Sequence, residues 1–164
     1  MIEVEELNEK QCLEILTSVG YGHLGCSRDS EPYVVPIHYA FDDELIYLYT
    51  TEGKKFEIIK ENPRVCLQVE SVRDNHDWKS VIVNGEAMQI GDGDERDRAL
   101  ELILKVNPTL TPAVSIHWMD GWIRENIEVV YRVTPVEITG RASVAGSETR
   151  RAFVPEKKQD ATLQ

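Results

Sequence analysis

The chain has 164 residues, of which 41% are apolar, and its formal net charge is −11. This length and composition are typical of one globular domain with a hydrophobic core. An acidic chain is repelled by nucleic acids and anionic membranes, so we expect neither as a partner. No apolar run approaches the roughly 20 residues of a membrane-spanning helix, and the acidic start MIEVEELNEK does not resemble a signal peptide, which predicts a cytoplasmic protein.

The cysteines and histidines suggest neither disulfides nor a metal site. Cys12, Cys26 and Cys66 are odd in number and widely spaced, so we expect free thiols that pack as small apolar side chains. The histidines lack metal-binding spacings such as H-E-x-x-H, and we predict no metal. The glycine-rich signatures of Rossmann and P-loop nucleotide sites do not occur in the sequence either.

The first predicted element is a helix over Glu9–Val19. Asn8 and Gln11 resemble a capping box at its start, and Gly20 is a typical helix stop. Strand-type segments follow over 21–27, 33–41 and 45–50, and the turn Asp42-Asp43 joins the last two into a β-hairpin. The later predicted elements are a helix over Lys54–Glu61, a strand over 64–71, a polar loop over 73–77, a helix over Asp94–Val106, a loop over 108–112 and a final strand region over 127–141.

The segment 79–90, KSVIVNGEAMQI, is open to two interpretations. Asn84-Gly85 is a strong two-residue hairpin signal. A lone glycine inside one long strand instead marks a bulge or a close backbone approach. Both interpretations fit the local residues.

The order of elements predicts a mainly β, α+β fold. Several strands follow one another through short turns, and helices are interspersed without a regular βαβ alternation. An antiparallel barrel or sheet with peripheral helices fits this order, and a closed barrel also removes exposed strand edges. We expect one domain over 1–144, followed by a polar, slightly basic tail over 145–164.

Lys54 and Lys55 stand in the first turn of a predicted helix, where the helix dipole disfavours a cation by roughly 0.3–1 kcal/mol. Thr50 and Thr51 end the preceding strand, and Gly53 permits a tight turn. Free backbone N–H groups point out of the helix start, so this combination suits a phosphate monoester. The alternative is a pair of solvated surface lysines.

Pro36 lies inside an otherwise regular strand and removes one backbone donor, which favours a strand edge or a strand that faces a ligand. His38 lies in the same segment, although a lone histidine in a strand is more often packed or exposed than catalytic. Trp78, Trp118 and Trp122 fall near predicted loops or strand ends. Each suits a core or interface anchor, or a surface on which a flat ring stacks.

Four segments, PYVVPIHYAF, LIYLYTTEGKK, ENPRV and VIVNGEA, in this order and spacing, resemble the pyridoxamine 5′-phosphate oxidase-like superfamily of FMN-binding split β-barrels. The closing VEITGRA resembles the final strand of these proteins. Within the superfamily, the likeness is to the flavin-nucleotide-binding group that includes nitroimidazole-resistance proteins. It covers 21–91 well and is weaker over 107–128.

The resemblance implies a six-stranded antiparallel split β-barrel with peripheral helices and one continuous strand over 79–90. It also implies a homodimer with FMN in two clefts at the dimer interface. The expected function is that of a small flavin-dependent oxidoreductase that acts on a small-molecule redox substrate, in which the flavin carries the redox step. Deazaflavin, FAD, or haem with His38 or His23 as ligand remain alternatives, as do a non-catalytic binding or storage protein and a domain without cofactor.

Two strands and a helix start supply most of the site that the resemblance implies. Val35, Pro36, Ile37 and His38 match the strand along the flavin ring, and His38 is the candidate catalytic or tuning residue. The ribityl and phosphate side is expected to comprise Tyr49, Thr50, Thr51, Gly53, Lys54 and Lys55.

A third region is implied to reach the flavin from the second subunit. Ser80 matches that position, and Trp78 is expected beside it. The C-terminal segment VEITGRASVAGSETRR does not reproduce the Trp- and Arg-containing segment of the oxidases proper. Oxidation of pyridoxamine 5′-phosphate itself is therefore not expected.

Overall fold

The computed structural model describes residues 2–110, 115–117, 122–124 and 128–144. The expected tail over 145–164, Trp118 and the end of the predicted loop 108–112 lie outside these residues. The described elements, in chain order, are β1 Glu3–Glu6, α1 Glu9–Val19, β2 Tyr21–Arg28, β3 Glu31–Asp42, β4 Leu45–Thr51, α2 Lys54–Glu61, β5 Arg64–Asp74, β6 Asp77–Ile90, α3 Asp94–Val106, β7 Ser115–His117, β8 Trp122–Arg124 and β9 Glu128–Val144.

The strands form an antiparallel sheet in the order β1-β9-β4-β3-β2-β5-β6, and β6 also pairs with β9. This second pairing closes six strands into an uneven ring, which confirms the predicted split β-barrel. β1 lies outside the ring, where it pairs with the end of β9. β7 and β8 form a separate antiparallel pair.

The start of α1 confirms the predicted capping box. The Gln11 backbone N–H donates to Asn8 Oδ1 at 3.0 Å, and the Asn8 N–H donates to Gln11 Oε1 at 2.9 Å. The helix ends at Gly20, whose φ of 72° is left-handed and suits a residue without a side chain. Both ends of this helix are therefore set by local signals.

Asn8→Ala is expected to lower the free energy of unfolding by about 1 kcal/mol, because the Gln11 backbone N–H loses its side-chain acceptor. Asn8→Ser keeps an acceptor at the cap and is the matched control. Urea denaturation of the three proteins measures the difference. Equal stability of the alanine variant and the wild type would contradict a stabilising cap.

β6 runs continuously through Asn84-Gly85, so the hairpin interpretation is wrong and the single strand is confirmed. Asn84 lies opposite Glu137 and Gly85 lies opposite Pro135, which leaves Val136 of β9 as an extra residue. A Cβ on Gly85 would lie 2.6 Å from the Thr134 backbone oxygen. The lone glycine therefore marks a bulge in the partner strand and a close backbone approach.

Two predicted connections differ from the observed ones. The polar loop over 73–77 is wrong, since β5 extends to Asp74 and β6 begins at Asp77. Asp74 Oδ1 accepts hydrogen bonds from the backbone N–H groups of His76 and Asp77 at 2.6 and 3.0 Å, which closes a much tighter turn. The β3–β4 turn falls one residue later than predicted, at Asp43 and Glu44, which both have positive φ.

The barrel interior is filled by inward side chains of the strands and by the inner faces of two helices. α1 contributes Cys12, Ile15 and Leu16 to this core, and α2 contributes Ile58 and Ile59. A second, smaller cluster joins α3 to the outside of the ring. Its buried members are Ala40, Tyr47, Ala99, Ile103 and Val130. The helices are thus peripheral, as predicted.

Cys12 and Cys26 are buried and Cys66 is half-buried, and all three are free thiols, as predicted. Among the described residues, no group of His, Cys, Asp and Glu side chains is arranged to hold a metal ion. None of the described helices has both the length and the apolar character needed to cross a membrane.

Candidate functional site

The barrel opens between β3 and β4. These strands pair only where His38–Asp42 of β3 lies beside Leu45–Tyr49 of β4. The part of β3 that precedes His38 pairs only with β2. The part of β4 that follows Tyr49, which is Thr50 and Thr51, pairs only with β9. We call this opening the split. Within the described residues, its walls are the edge of β3 over residues 32–37 and the end of β4 with the start of α2.

The backbone of β3 explains the position of Pro36. The Tyr39 N–H donates to the Gly20 carbonyl at 3.0 Å, so odd-numbered residues of β3 direct their backbone groups toward β2. Even-numbered residues direct theirs to the other side, which is the split. The missing N–H of Pro36 is therefore on the open edge, as predicted, while the Val34 N–H and the Pro36 carbonyl face the split.

His38 and Tyr49 meet as cross-strand partners where the split begins. The Tyr49 hydroxyl donates to Glu128 Oε1 at 2.7 Å. Burial and this hydrogen bond raise the pKa of Tyr49 to about 12, so its phenol stays neutral near pH 7. The ring of Tyr21 lies edge-on to His38, with centroids 5.3 Å apart. His38 is thus held among aromatic side chains and stays half-buried.

The other predicted residues of β3 and β4 divide between the two faces of the sheet. Val35 and Ile37 turn their side chains into the barrel core, whereas Pro36 is exposed on the outside. Thr50 is buried, and Thr51 is half-buried. Val35 and Ile37 therefore contribute their side chains to the barrel core.

The start of α2 lacks the usual cap. Gly53 occupies the N-cap and supplies no side-chain acceptor to the first-turn N–H groups. A Cβ built on Gly53 would meet nothing within 4 Å, so the approach to these groups is open. A helix start with free donors and open access is a site for an anion.

The two lysines beside this helix start have different surroundings. Lys54 Nζ lies 4.9 Å from the ring centroid of Tyr33 at the start of β3, so it spans the split. Lys55 is half-buried, and burial lowers the pKa of its ammonium group from the ordinary value. The ion pairs of the described residues include neither lysine. A partly desolvated cation without a carboxylate partner suits an incoming anion.

Trp78 and Ser80 lie elsewhere in the chain. Thr51 pairs near the start of β9, whereas Ser80 pairs with Arg141 near its end. Trp78 is half-buried and donates its backbone N–H to Ser143 Oγ at 2.9 Å. Trp78 and Ser80 line a separate groove of about 750 Å³ between β6, β9 and the end of β1. One chain therefore does not bring these two residues to the lysine pair.

Sequence reasoning missed Tyr21, Gln68 and Glu128, and considered His23 only as a possible haem ligand. Gln68 lies between inward-facing Leu67 and Val69, so alternation alone shows that it points outward. Its contact with His23, at 3.2 Å, depends on the pairing of β2 with β5. No local signal in the sequence gives that pairing.

Comparison with known proteins places the chain in a family. Residues 8–142 match the family model described as pyridoxamine 5′-phosphate oxidase. An uncharacterized protein of Rhizobium meliloti is 29% identical over 155 residues, which cover 87% of this chain and 97% of that protein.

Two solved structures share the fold. An FAD-binding protein from Mesorhizobium loti is 30% identical, with a TM-score of 0.70 over 88% of this chain and 99% of that chain. A proposed 5-nitroimidazole antibiotic resistance protein from Bacteroides thetaiotaomicron has a TM-score of 0.66 over 87% of this chain and 89% of its own, and at 19% identity it shows the fold alone. The resemblance carried by the sequence motifs is thereby confirmed, and this chain belongs to the pyridoxamine 5′-phosphate oxidase-like family.

Proposed function

We propose that the chain binds a flavin, FMN, in the split, with the phosphate at the start of α2. The observation that carries this proposal is the half-buried Lys55, which has no carboxylate partner among the described residues and lies beside an uncapped helix start. A phosphate dianion would give Lys54, Lys55 and the first-turn N–H groups the partner that the free chain does not provide. Membership of the family and the likeness to an FAD-binding protein support a flavin as the ligand.

The remaining walls of the split suit the rest of such a ligand. The Val34 N–H and the Pro36 carbonyl offer a backbone donor and acceptor along the open edge of β3. His38 and the neutral phenol of Tyr49 close the far end. When bound, a flavin supplies two-electron chemistry for a small-molecule oxidoreductase, and the chain binds and orients it.

A homodimer would complete this site. Trp78 and Ser80 lie at the opposite end of β9 from Thr51, so one chain does not bring them to the phosphate side of the split, and a second copy could. The outside of the sheet also exposes apolar side chains, including Val34 at 63% and Val136 at 76%. Exposed apolar side chains of this kind suit an interface between two copies.

The colour and mass of the copurified ligand test the cofactor. We expect flavin absorbance bands, and a released ligand with the mass of FMN. FAD would keep the same phosphate site and is the second candidate, because a relative is an FAD-binding protein. A haem Soret band, a deazaflavin mass, or a colourless protein that takes up no flavin would refute the proposal.

Light scattering of the flavin-bound protein tests the assembly. We expect the mass of a dimer, because one chain does not bring Trp78 and Ser80 to the lysine pair. A monomer mass throughout the micromolar range, with flavin bound, would show that one chain suffices.

A further inference from the structure

His23 lies on the outer face of the barrel, by which we mean the side of the strands turned away from the core. It is opposite Pro36 of β3 on one side and Gln68 of β5 on the other. The ring of Tyr21 lies edge-on to it, with centroids 5.9 Å apart. His23 is half-buried, and Pro36 beside it is exposed. The flat ring of a ligand bound in the split, if it extends outward across Pro36, therefore lies next to His23.

The neighbours of Gln68 determine which way its amide points. Its Nε2 lies 3.0 Å from Glu70 Oε2 and 3.3 Å from Ser80 Oγ. An ionised carboxylate only accepts hydrogen bonds, so the NH₂ group of the amide must be the group that faces Glu70. The carbonyl oxygen, Oε1, therefore faces His23, and it lies 3.2 Å from Nδ1.

This orientation fixes the tautomer of His23. The amide oxygen of Gln68 only accepts, so Nδ1 of His23 must carry the proton. In the neutral imidazole the other nitrogen, Nε2, then has a lone pair and no proton. Gln68 thus acts as a positioning residue that presents His23 Nε2 as a hydrogen-bond acceptor.

We propose that His23 Nε2 accepts a hydrogen bond from the N3–H group of the flavin ring. This inference rests on the proposed function. The oxidised isoalloxazine has a single N–H, at N3, and its other hydrogen-bonding atoms, N1, N5, O2 and O4, are acceptors, so a fixed acceptor selects that group. The ribityl hydroxyls are also donors, but a phosphate at the start of α2 would keep them beside the end of β4. β3 separates that position from His23.

Methylation of N3 gives a direct test. FMN and 3-methyl-FMN are titrated against the wild type, His23→Phe and His23→Gln at about pH 8, above the ordinary imidazole range. The affinity ratio of FMN to 3-methyl-FMN is expected to be roughly three- to tenfold larger in the wild type than in His23→Phe, which corresponds to one hydrogen bond. His23→Gln, which keeps an acceptor, is expected to restore part of the preference. His23→Phe keeps a planar ring at this position, so the methyl group meets a side chain of similar shape in that variant and in the wild type.

Nitrogen NMR of the protein without ligand tests the role of Gln68 independently of flavin binding. We expect His23 to carry its proton on Nδ1 in the wild type, and to lose this bias in Gln68→Met. A proton on Nε2 in the wild type would overturn the inference. So would a preference for FMN over 3-methyl-FMN that His23→Phe leaves unchanged, although the flavin site would then stand. A wild type that binds no FMN would overturn the proposed function together with this inference.

Discussion

Lys54→Ala and Lys55→Ala are each expected to weaken FMN binding roughly tenfold to a hundredfold and to leave riboflavin binding almost unchanged. The FMN phosphate carries about −1.5 to −2 charges near neutral pH, and a hydrogen bond to a charged group contributes roughly 1.5–3 kcal/mol. Riboflavin has the same ring without the phosphate. Titration of both ligands at fixed salt therefore separates the phosphate contact from the ring contacts.

Lys60→Ala is the matched control for the lysine pair. Lys60 is an exposed lysine in the last turn of the same helix, so its removal changes the net charge equally without reaching the helix start. Stability of the ligand-free protein should not follow FMN affinity. Because Lys54 stands at the helix N-terminus, Lys54→Ala should leave the free energy of unfolding equal or slightly higher. Unchanged FMN affinity in both variants, or an equal loss for both ligands, would mean that the lysine pair does not hold the phosphate.

Gly22→Ala is expected to lower the free energy of unfolding by about 1–3 kcal/mol. The added Cβ would lie 2.5 Å from the backbone oxygen of Gln68, so β2 and β5 would have to move apart. Gly25→Ala is the matched control on the same strand, because its Cβ would meet the Cys66 oxygen at an ordinary 3.5 Å. That variant should be neutral or slightly more stable, since alanine restricts the unfolded chain. Coincident urea transitions for the two variants would contradict this packing argument.

The elements predicted most accurately are those with local signals at both ends. Glu9–Val19 has its capping box and Gly20, and the predicted bounds of Lys54–Glu61 and Asp94–Val106 also match the observed helices. Strand bounds were less accurate. Pairing with a neighbouring strand extends a strand into residues that do not alternate between apolar and polar side chains. β1 was missed for the same reason: all four residues of EVEE are exposed, and the segment is a strand only because β9 pairs with it.

The candidate site shows the same difference between residues that are neighbours in sequence and residues that only strand pairing brings together. Gly53, Lys54 and Lys55 are adjacent in sequence, so their arrangement at a helix start could be predicted from propensity and charge. The contact of His23 with Gln68 joins residues that are 45 positions apart, and only the register of β2 on β5 produces it. Sequence patterns show which face a strand residue occupies, but they do not show which residue of another strand lies beside it.

The position of β9 in the ring has a consequence for how the domain assembles. This strand pairs with β4 along its first half, with β1 at its far end and with β6 along its other edge. It is also the last strand of the described chain, so the six-stranded ring cannot close until β9 has been synthesised and docked. Until then β4 and β6 each present an open edge, the kind of edge at which a nascent chain pairs with its neighbours and aggregates. Closure also requires contacts between distant parts of the sequence, so folding should be slower than in a helical domain of similar size.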